Sequence, residues 1–200
     1  MSGKTRGQRP QPTNIIIGVV RLARGRSDGL RHFSATREAF LASLAPLIAF
    51  PLVGGALMLL SGGGLVVLSD FLATVCALLA PPVLSFEVAR LWGREAAWLR
   101  FATAFNWCQW AIPVFGSMLL VILGILIGMG LPRGTARAIA VLGLVCYGLW
   151  LHWFLARHGL GLSRVRAAVL VMIVNLATVA IVMGPRLLTL VTDSAGLDAK

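Results

Sequence analysis

Residues 101–130 read FATAFNWCQWAIPVFGSMLLVILGILIGMG and contain no charged side chain. Thirty residues in a helix exceed the roughly 30 Å of hydrocarbon that a membrane-spanning segment must cross. The stretch is too apolar for a loop and too long for an ordinary core helix. It therefore predicts one long membrane span, either strongly tilted or extending out of the bilayer.

Four further apolar stretches lie on either side of this segment. With it they give five predicted spans, at about residues 39–60, 65–86, 101–130, 135–156 and 167–190. The composition agrees, because 58% of the 200 residues are hydrophobic and 12% are charged, whereas soluble domains carry about 25% charged residues. The sequence predicts an all-α, polytopic transmembrane helical bundle at residues 38–191, with a basic arm before it (1–37) and a short exterior tail after it (192–200).

The lysines and arginines are divided unequally between the two ends of the predicted bundle. Of eighteen, four lie on the side of the carboxyl terminus: Arg133, Arg137, Arg186 and Lys200. Short basic loops are retained in the cytoplasm, so this asymmetry predicts a cytoplasmic amino terminus and a periplasmic carboxyl terminus. Sixteen of the eighteen are arginine, a usage typical of a GC-rich bacterial genome, and we expect the bacterial inner membrane. The basic residues then face anionic lipid headgroups, and no nucleic acid is expected.

The arm contains a segment that predicts an amphipathic helix lying in the membrane interface. Its apolar face consists of Ile15, Ile16, Val19, Val20 and Ala23. Its opposite face consists of Asn14, Gly18 and Arg21. This pattern is typical of interfacial helices, and it makes Arg21, Arg24 and Arg26 the candidate contacts to lipid phosphates. The alternative is that the segment packs on the end of the bundle.

Polar side chains inside the predicted spans are few, and such groups usually face a cavity or a neighbouring helix. The candidate cluster is Asp70, Asn106, Gln109, His152 and Asn175. Pro113 cannot donate to the Gln109 carbonyl, so we expect a kink there and an available oxygen. Two interpretations stay open for the cluster, namely hydrogen bonds between helices or a shared polar cavity. For Asp70, a group at a helix start is the alternative to an ion site.

The sequence contains no recognisable catalytic or metal-binding motif. Cys76, Cys108 and Cys146 lie singly in three predicted spans, without metal-ligand spacing. An HExxH zinc motif, a nucleophile elbow and a phosphate-binding loop are absent. We therefore predict a protein that is not an enzyme and that carries neither a metal nor a cofactor.

The layout and three short stretches resemble one family of membrane proteins. The stretches are Leu-Trp-Gly-Arg-Glu at 91–95, Phe-Asn-Trp-Cys-Gln-Trp at 105–110 and Leu-Ser-Arg-Val-Arg-Ala-Ala at 162–168. Over roughly residues 30–190 the chain is similar to bacterial members of the Yip-type family of five-span integral membrane proteins. The resemblance implies a five-span fold and supplies no catalytic residues.

Two classes of function are compatible with these features. The first is a non-enzymatic membrane scaffold or membrane-organising factor that acts through its basic cytoplasmic surface. Its partners would be the lipid bilayer and another membrane protein or a second copy of the chain. The alternative is a small transporter or channel with a polar site among spans two to five. A convergent polar cavity would favour the second class, and scattered helix contacts would favour the first.

Overall fold

The structure is a computed structural model that describes residues 14–62 and 64–197. Within these residues the chain forms helices and no strand. The α-helices are α1 (Ile15–Ala23), α2 (Arg37–Leu60), α3 (Gly64–Leu91), α4 (Glu95–Cys108), α5 (Ala111–Gly128), α6 (Arg133–Gly159) and α7 (Arg164–Leu197), with a 3-10 helix at Ser27–His32 between α1 and α2. Residues 1–13 of the predicted arm and residues 198–200 of the predicted tail lie outside the described residues.

The all-α, multi-pass class is confirmed. Five segments of the described chain are long and apolar enough to cross a membrane: Arg37–Leu60, Val67–Leu91, Glu95–Gly128, Arg133–Gly159 and Arg164–Gly184. Side-chain caps begin several helices where the sequence changes from polar to apolar, since Thr36 Oγ1 accepts from Ala39 N and Ser163 Oγ from Arg166 N. The last helix continues to Leu197, past the start predicted for the tail at residue 192.

The kink predicted at Pro113 is an interruption of the third segment. α4 ends at Cys108 and α5 begins at Ala111. Proline has no N–H, so the Gln109 carbonyl loses its helical donor, and Ile112 N donates to that oxygen instead, at 3.3 Å. The expectation that this oxygen is available is therefore wrong. α5 alone has 18 residues, about 27 Å of helix, and α4 starts six residues before the boundary that hydropathy predicts.

Dense packing is concentrated at one end of the bundle, here called the basic end, which contains the connections at residues 92–94 and 160–163. The core there surrounds α4, in which Phe101, Ala104 and Cys108 are at most 3% exposed. Leu151 and Leu155 of α6 are fully buried against it. Each such leucine contributes about 1.5–3 kcal/mol by leaving water. The basic end therefore has the interior of a small soluble domain.

Toward the opposite end the helices expose large apolar side chains. Leu60, Val121 and Leu142 are 85%, 65% and 64% exposed. Such side chains are costly in water but not in lipid, which is as apolar as leucine. This half of the described chain thus has the surface of a membrane-embedded bundle.

The amino-terminal segment packs on the bundle at the basic end. α1 and the 3-10 helix form a hairpin in which Gly18 is buried, and a Cβ at that position would lie 2.7 Å from the Phe33 ring. Tyr147 Oη of α6 donates to the Ala23 carbonyl at 3.2 Å. A helix is present at Ile15–Ala23, with Gly18 on the packed side and Ile16 75% exposed, and its predicted position in the membrane interface stays a prediction. Sequence periodicity could not identify Phe33 as the partner that selects the face.

Candidate functional site

Five helices form a closed ring around a cavity. Contacts join α2 to α3, α3 to α7, α7 to α6, α6 to α4 and α4 back to α2. Each of the five contributes lining residues, and the cavity has a volume of about 260 Å³. Ligand sites in proteins commonly have volumes of about 300–1,000 Å³, so this space suits a small ligand or one group of a larger ligand.

The basic end of the ring is closed by an aromatic cluster. Trp98 of α4 reaches across to α3, where its Nε1 donates to Ser85 Oγ at 3.1 Å. The rings of Phe40 and Phe86 lie 5.1 and 5.0 Å from that of Trp98, centroid to centroid. Because the indole N–H is satisfied and its ring is packed on two sides, the cluster is a fixed floor beneath the cavity.

Four of the five predicted intramembrane polar residues line this cavity. They are Asn106, Gln109, His152 and Asn175, and Thr178 joins them one turn beyond Asn175. Thr178 was not among the sequence candidates, although its spacing of three from Asn175 places it on the same helix face. The remaining lining residues are apolar, and the lining contains no charged side chain. The cavity therefore combines neutral hydrogen-bonding groups with apolar walls.

His152 provides the least satisfied polar group of the site. Both of its ring nitrogens are buried, and neither has a hydrogen-bond partner within the described residues. Its ring packs on Phe105, with centroids 4.7 Å apart. A small neighbouring space of about 20 Å³, lined by His152, Ser85 and Asn175 among others, is large enough for one water molecule. A buried donor left unpaired costs about 1–3 kcal/mol, so the site favours an occupant that hydrogen-bonds to imidazole.

Asn106 lines the cavity and also joins two helices. Its Nδ2 donates to Ser43 Oγ of α2 at 3.0 Å, and Ser43 Oγ donates to the Phe40 carbonyl at 2.6 Å. Asn106 is 2% exposed and Ser43 is fully buried. For this residue the helix-to-helix hydrogen bond predicted as one of the two interpretations is present. Ser43 was missed because one serine in an apolar helix has no sequence signal that distinguishes it.

Gln109 and Asn175 present polar groups that are less committed. The Gln109 side-chain amide makes no hydrogen bond within the part of the chain that the structure describes, and it lies at the interruption between α4 and α5. Asn175 Nδ2 donates to the Val171 carbonyl at 2.8 Å, which leaves its Oδ1 to accept. The Thr178 hydroxyl donates to the Val174 carbonyl at 2.8 Å. A ligand in the cavity would meet amide and hydroxyl groups from two helical segments.

Two consecutive prolines add backbone acceptors to the same wall. Pro81 and Pro82 lie inside α3 and cannot donate to the carbonyls of Ala77 and Leu78, four residues earlier. All four residues line the cavity. Proline inside a membrane helix is tolerated where neighbouring groups or a cavity can satisfy the freed carbonyls, and both prolines lie in the wall of this cavity.

Asp70 does not join the cluster. It lines a separate space of about 230 Å³ between α2 and α3, together with Thr74 and Phe71, and that space shares no lining residue with the cavity. Thr74 Oγ1 donates to the Asp70 backbone carbonyl at 2.8 Å. The predicted grouping of Asp70 with the other four is therefore wrong. It lies six residues after the start of α3 at Gly64, toward the opposite end, whereas the ring encloses the other four near the basic end.

The predicted lipid contacts lie on the hairpin at the basic end. Arg21 pairs with Asp28, with 2.9 Å between Nη1 and Oδ2, whereas Arg24 and Arg26 are exposed. Half-exposed ion pairs contribute at most about 1 kcal/mol, but this pair directs Arg21 toward its own hairpin. Among the described residues, Arg21 thus has an ion-pair partner, whereas Arg24 and Arg26 have none and are exposed to a headgroup. Within the described residues, no three His, Cys, Asp or Glu side chains group as metal ligands.

Comparison of the chain with family models, with curated proteins and with solved structures found no match. The Yip-type resemblance therefore stays a prediction.

Proposed function

We propose that this multi-pass membrane protein binds a small uncharged ligand with hydrogen-bonding groups in the cavity enclosed by α2, α3, α4, α6 and α7. One observation carries the proposal: four polar residues from three separate parts of the chain converge on one cavity. Side chains that served only as contacts between helices would be paired with each other, as Asn106 is with Ser43. The imidazole of His152 and the amide of Gln109 instead face the cavity without protein partners in the described chain.

The lining selects against ions. A charge moved from water into such a site loses hydration, and only an opposite charge or several aligned dipoles restore it. The residues around the cavity supply amides, hydroxyls, imidazole and apolar surface. A neutral solute with donors and acceptors satisfies these groups and requires no counter-charge. The aromatic floor formed with Trp98 argues for a binding site of the transporter type and against an open channel.

Thiol labelling tests whether the cavity is a polar, accessible site. All three native cysteines are replaced by alanine, and a single cysteine is introduced by Asn175→Cys or, as a matched control, by Leu176→Cys. Residue 175 lines the cavity and Leu176 is 64% exposed on the apolar surface. Because only a thiolate reacts, N-ethylmaleimide in native membranes should modify the Asn175→Cys variant at least about tenfold faster. Glycerol should slow that reaction, and acetate or tetramethylammonium should not.

Two results would contradict the proposal. Equal labelling rates for the two variants would mean that residue 175 faces lipid or protein and not a polar space. Protection by the ions as strong as that by glycerol would mean that neutrality does not determine what the site accepts.

A second candidate function is that of a non-enzymatic scaffold at the cytoplasmic membrane surface. The observation that favours it is that one hairpin exposes both Arg24 and Arg26 and the apolar Ile16, which is 75% exposed. Exposed apolar and cationic side chains on one segment are typical of a lipid-surface contact. In this proposal the basic end faces the cytoplasm of a bacterial cell, and another membrane protein or a second copy binds alongside.

Lipid enrichment tests the scaffold proposal. The double variant Arg24→Gln/Arg26→Gln should co-purify with less phosphatidylglycerol than the wild-type chain, because each basic residue near the surface contributes about 1 kcal/mol. The matched control Arg133→Gln/Arg137→Gln changes two arginines at the opposite end. An equal loss in both double variants would contradict a specific basic surface.

Alkaline phosphatase fused after Lys200 tests orientation, and an inactive fusion would overturn the periplasmic carboxyl terminus.

A further inference from the structure

The route into the cavity indicates which kind of neutral ligand reaches it, an inference that rests on the proposed function. At the basic end the ring is closed, since Trp98 of α4 contacts Ser85 and Phe86 of α3. The core around Phe101 and Leu155 lies on the same side. A solute from the aqueous phase at that end would have to displace a packed interior, so entry from there is disfavoured.

The ring loses one wall on the other side of the cavity. α4 ends at Cys108, and the chain continues as α5, which contacts α6, α4 and α1. In the described chain no Cα of α5 lies within 8 Å of α2, α3 or α7. Beyond Gln109, α5 therefore packs along α6 and away from α2, α3 and α7, and we infer that the cavity opens into the gap bordered by α2–α3–α7 on one side and α5–α6 on the other. The Phe50 and Trp110 rings, 5.5 Å apart, lie beside this opening.

This gap lies in the half of the bundle that exposes apolar side chains. Val114 and Met118 of α5 are 70% and 60% exposed, and Val53 and Leu57 of α2 are 61% and 62% exposed. A hydrocarbon chain fits between such surfaces without losing hydrogen bonds, whereas a hydrophilic solute would lose its hydration along the same route. Polar groups at the inner end and apolar walls at the outer end match a molecule with one polar end.

We propose that the ligand is a single-chain membrane amphiphile with an uncharged hydrogen-bonding head, of the monoacylglycerol type. Its head occupies the cavity and hydrogen-bonds to Gln109, His152 and Asn175, and its chain lies in the gap between α2–α3–α7 and α5–α6. The cavity volume of about 260 Å³ accommodates a head of a few polar atoms but not a second chain. The absence of charge in the lining excludes fatty-acid carboxylates and alkylammonium heads.

Native mass spectrometry of the purified full-length chain tests this inference. Mixed micelles contain equal amounts of 1-oleoylglycerol, oleate and oleylamine, which share one chain and differ in the charge of the head. Wild type should retain 1-oleoylglycerol about tenfold more than either charged analogue. Gln109→Leu and Asn175→Leu should each lose this preference. Asp70→Asn, in the separate space between α2 and α3, should keep it.

The labelling assay separates this inference from the proposed function. In the labelling assay, 1-oleoylglycerol should protect the Asn175→Cys thiol at a concentration at least about tenfold below that of glycerol, because its chain adds apolar contact area. Equal protection by the two compounds would overturn the amphiphile and leave the neutral cavity site standing. Equal retention of oleate and 1-oleoylglycerol would overturn the uncharged head. Failure of glycerol and of 1-oleoylglycerol to protect would overturn both proposals.

Discussion

The hydrogen bond between Asn106 and Ser43 should make the two residues energetically coupled. In Ser43→Ala, the Asn106 Nδ2 group loses the acceptor 3.0 Å away while remaining 2% exposed. A buried donor without a partner costs about 1–3 kcal/mol, so we expect a loss of about 2 kcal/mol in the free energy of unfolding. For a chain of this length, that lowers the melting temperature by about 6 °C.

Removing the donor Asn106 should lower the free energy of unfolding less than removing its acceptor Ser43. In Asn106→Leu the buried donor is removed, and Ser43 Oγ keeps its bond to the Phe40 carbonyl. The double variant should therefore be more stable than the sum of the two single losses predicts, by about 1 kcal/mol. This cycle also cancels the gain in helix propensity that accompanies serine to alanine.

Melting temperatures in detergent, followed by tryptophan fluorescence, measure these changes. Ser61→Ala is the matched control, because Ser61 is exposed at the end of α2 and bonds only to carbonyls of its own helix. It should change the free energy of unfolding by less than about 0.5 kcal/mol. Additive single losses, or a Ser43→Ala variant as stable as wild type, would refute the idea that this pair connects α2 to α4.

Two further predictions test the packing of the bundle. Leu155→Ala should lower the free energy of unfolding by about 2–5 kcal/mol because the side chain is fully buried. Leu142→Ala, on the same helix but 64% exposed, should change it by less than about 0.5 kcal/mol. Similar losses in the same melting assay would contradict a core concentrated at the basic end. Gly55→Ala should be destabilising because its new methyl group would overlap the Phe71 ring. Gly54→Ala, whose Cβ meets open space, should be neutral or stabilising. A reversed order of melting temperatures would argue against the contact of α2 with α3.

The number and approximate limits of the spans could be predicted because length and hydropathy depend on the local chain alone. Pro113 predicts a kink near Gln109, but the full interruption at Gln109 and Trp110 could not be predicted, since it also depends on the helices against which α4 and α5 pack. Which apolar residues are buried could not be predicted either. Leu155 and Leu142 are the same residue type, and both lipid and a protein interior favour leucine.

In the candidate site, too, features that depend on the residue type could be predicted, and features that depend on long-range contacts could not. The cost of burying a polar group identified Asn106, Gln109, His152 and Asn175 from sequence, and the structure brings all four to one cavity. That rule could not exclude Asp70, because it says nothing about which helices are neighbours. Ser43 and Ser85 were missed, since their importance depends on partners 63 and 13 residues away.

The central claim is that Gln109 and Asn175, from different segments, share one cavity, and label stoichiometry tests it most directly. In the background without native cysteines, N-(1-pyrenyl)maleimide should add once to each single variant, Gln109→Cys and Asn175→Cys, by intact mass. The double variant should accept one label as well, because a cavity of about 260 Å³ has no room for two polycyclic groups. Asp70→Cys combined with Asn175→Cys should accept two, since those residues line separate spaces. Two labels on the Gln109→Cys/Asn175→Cys chain would contradict the shared cavity.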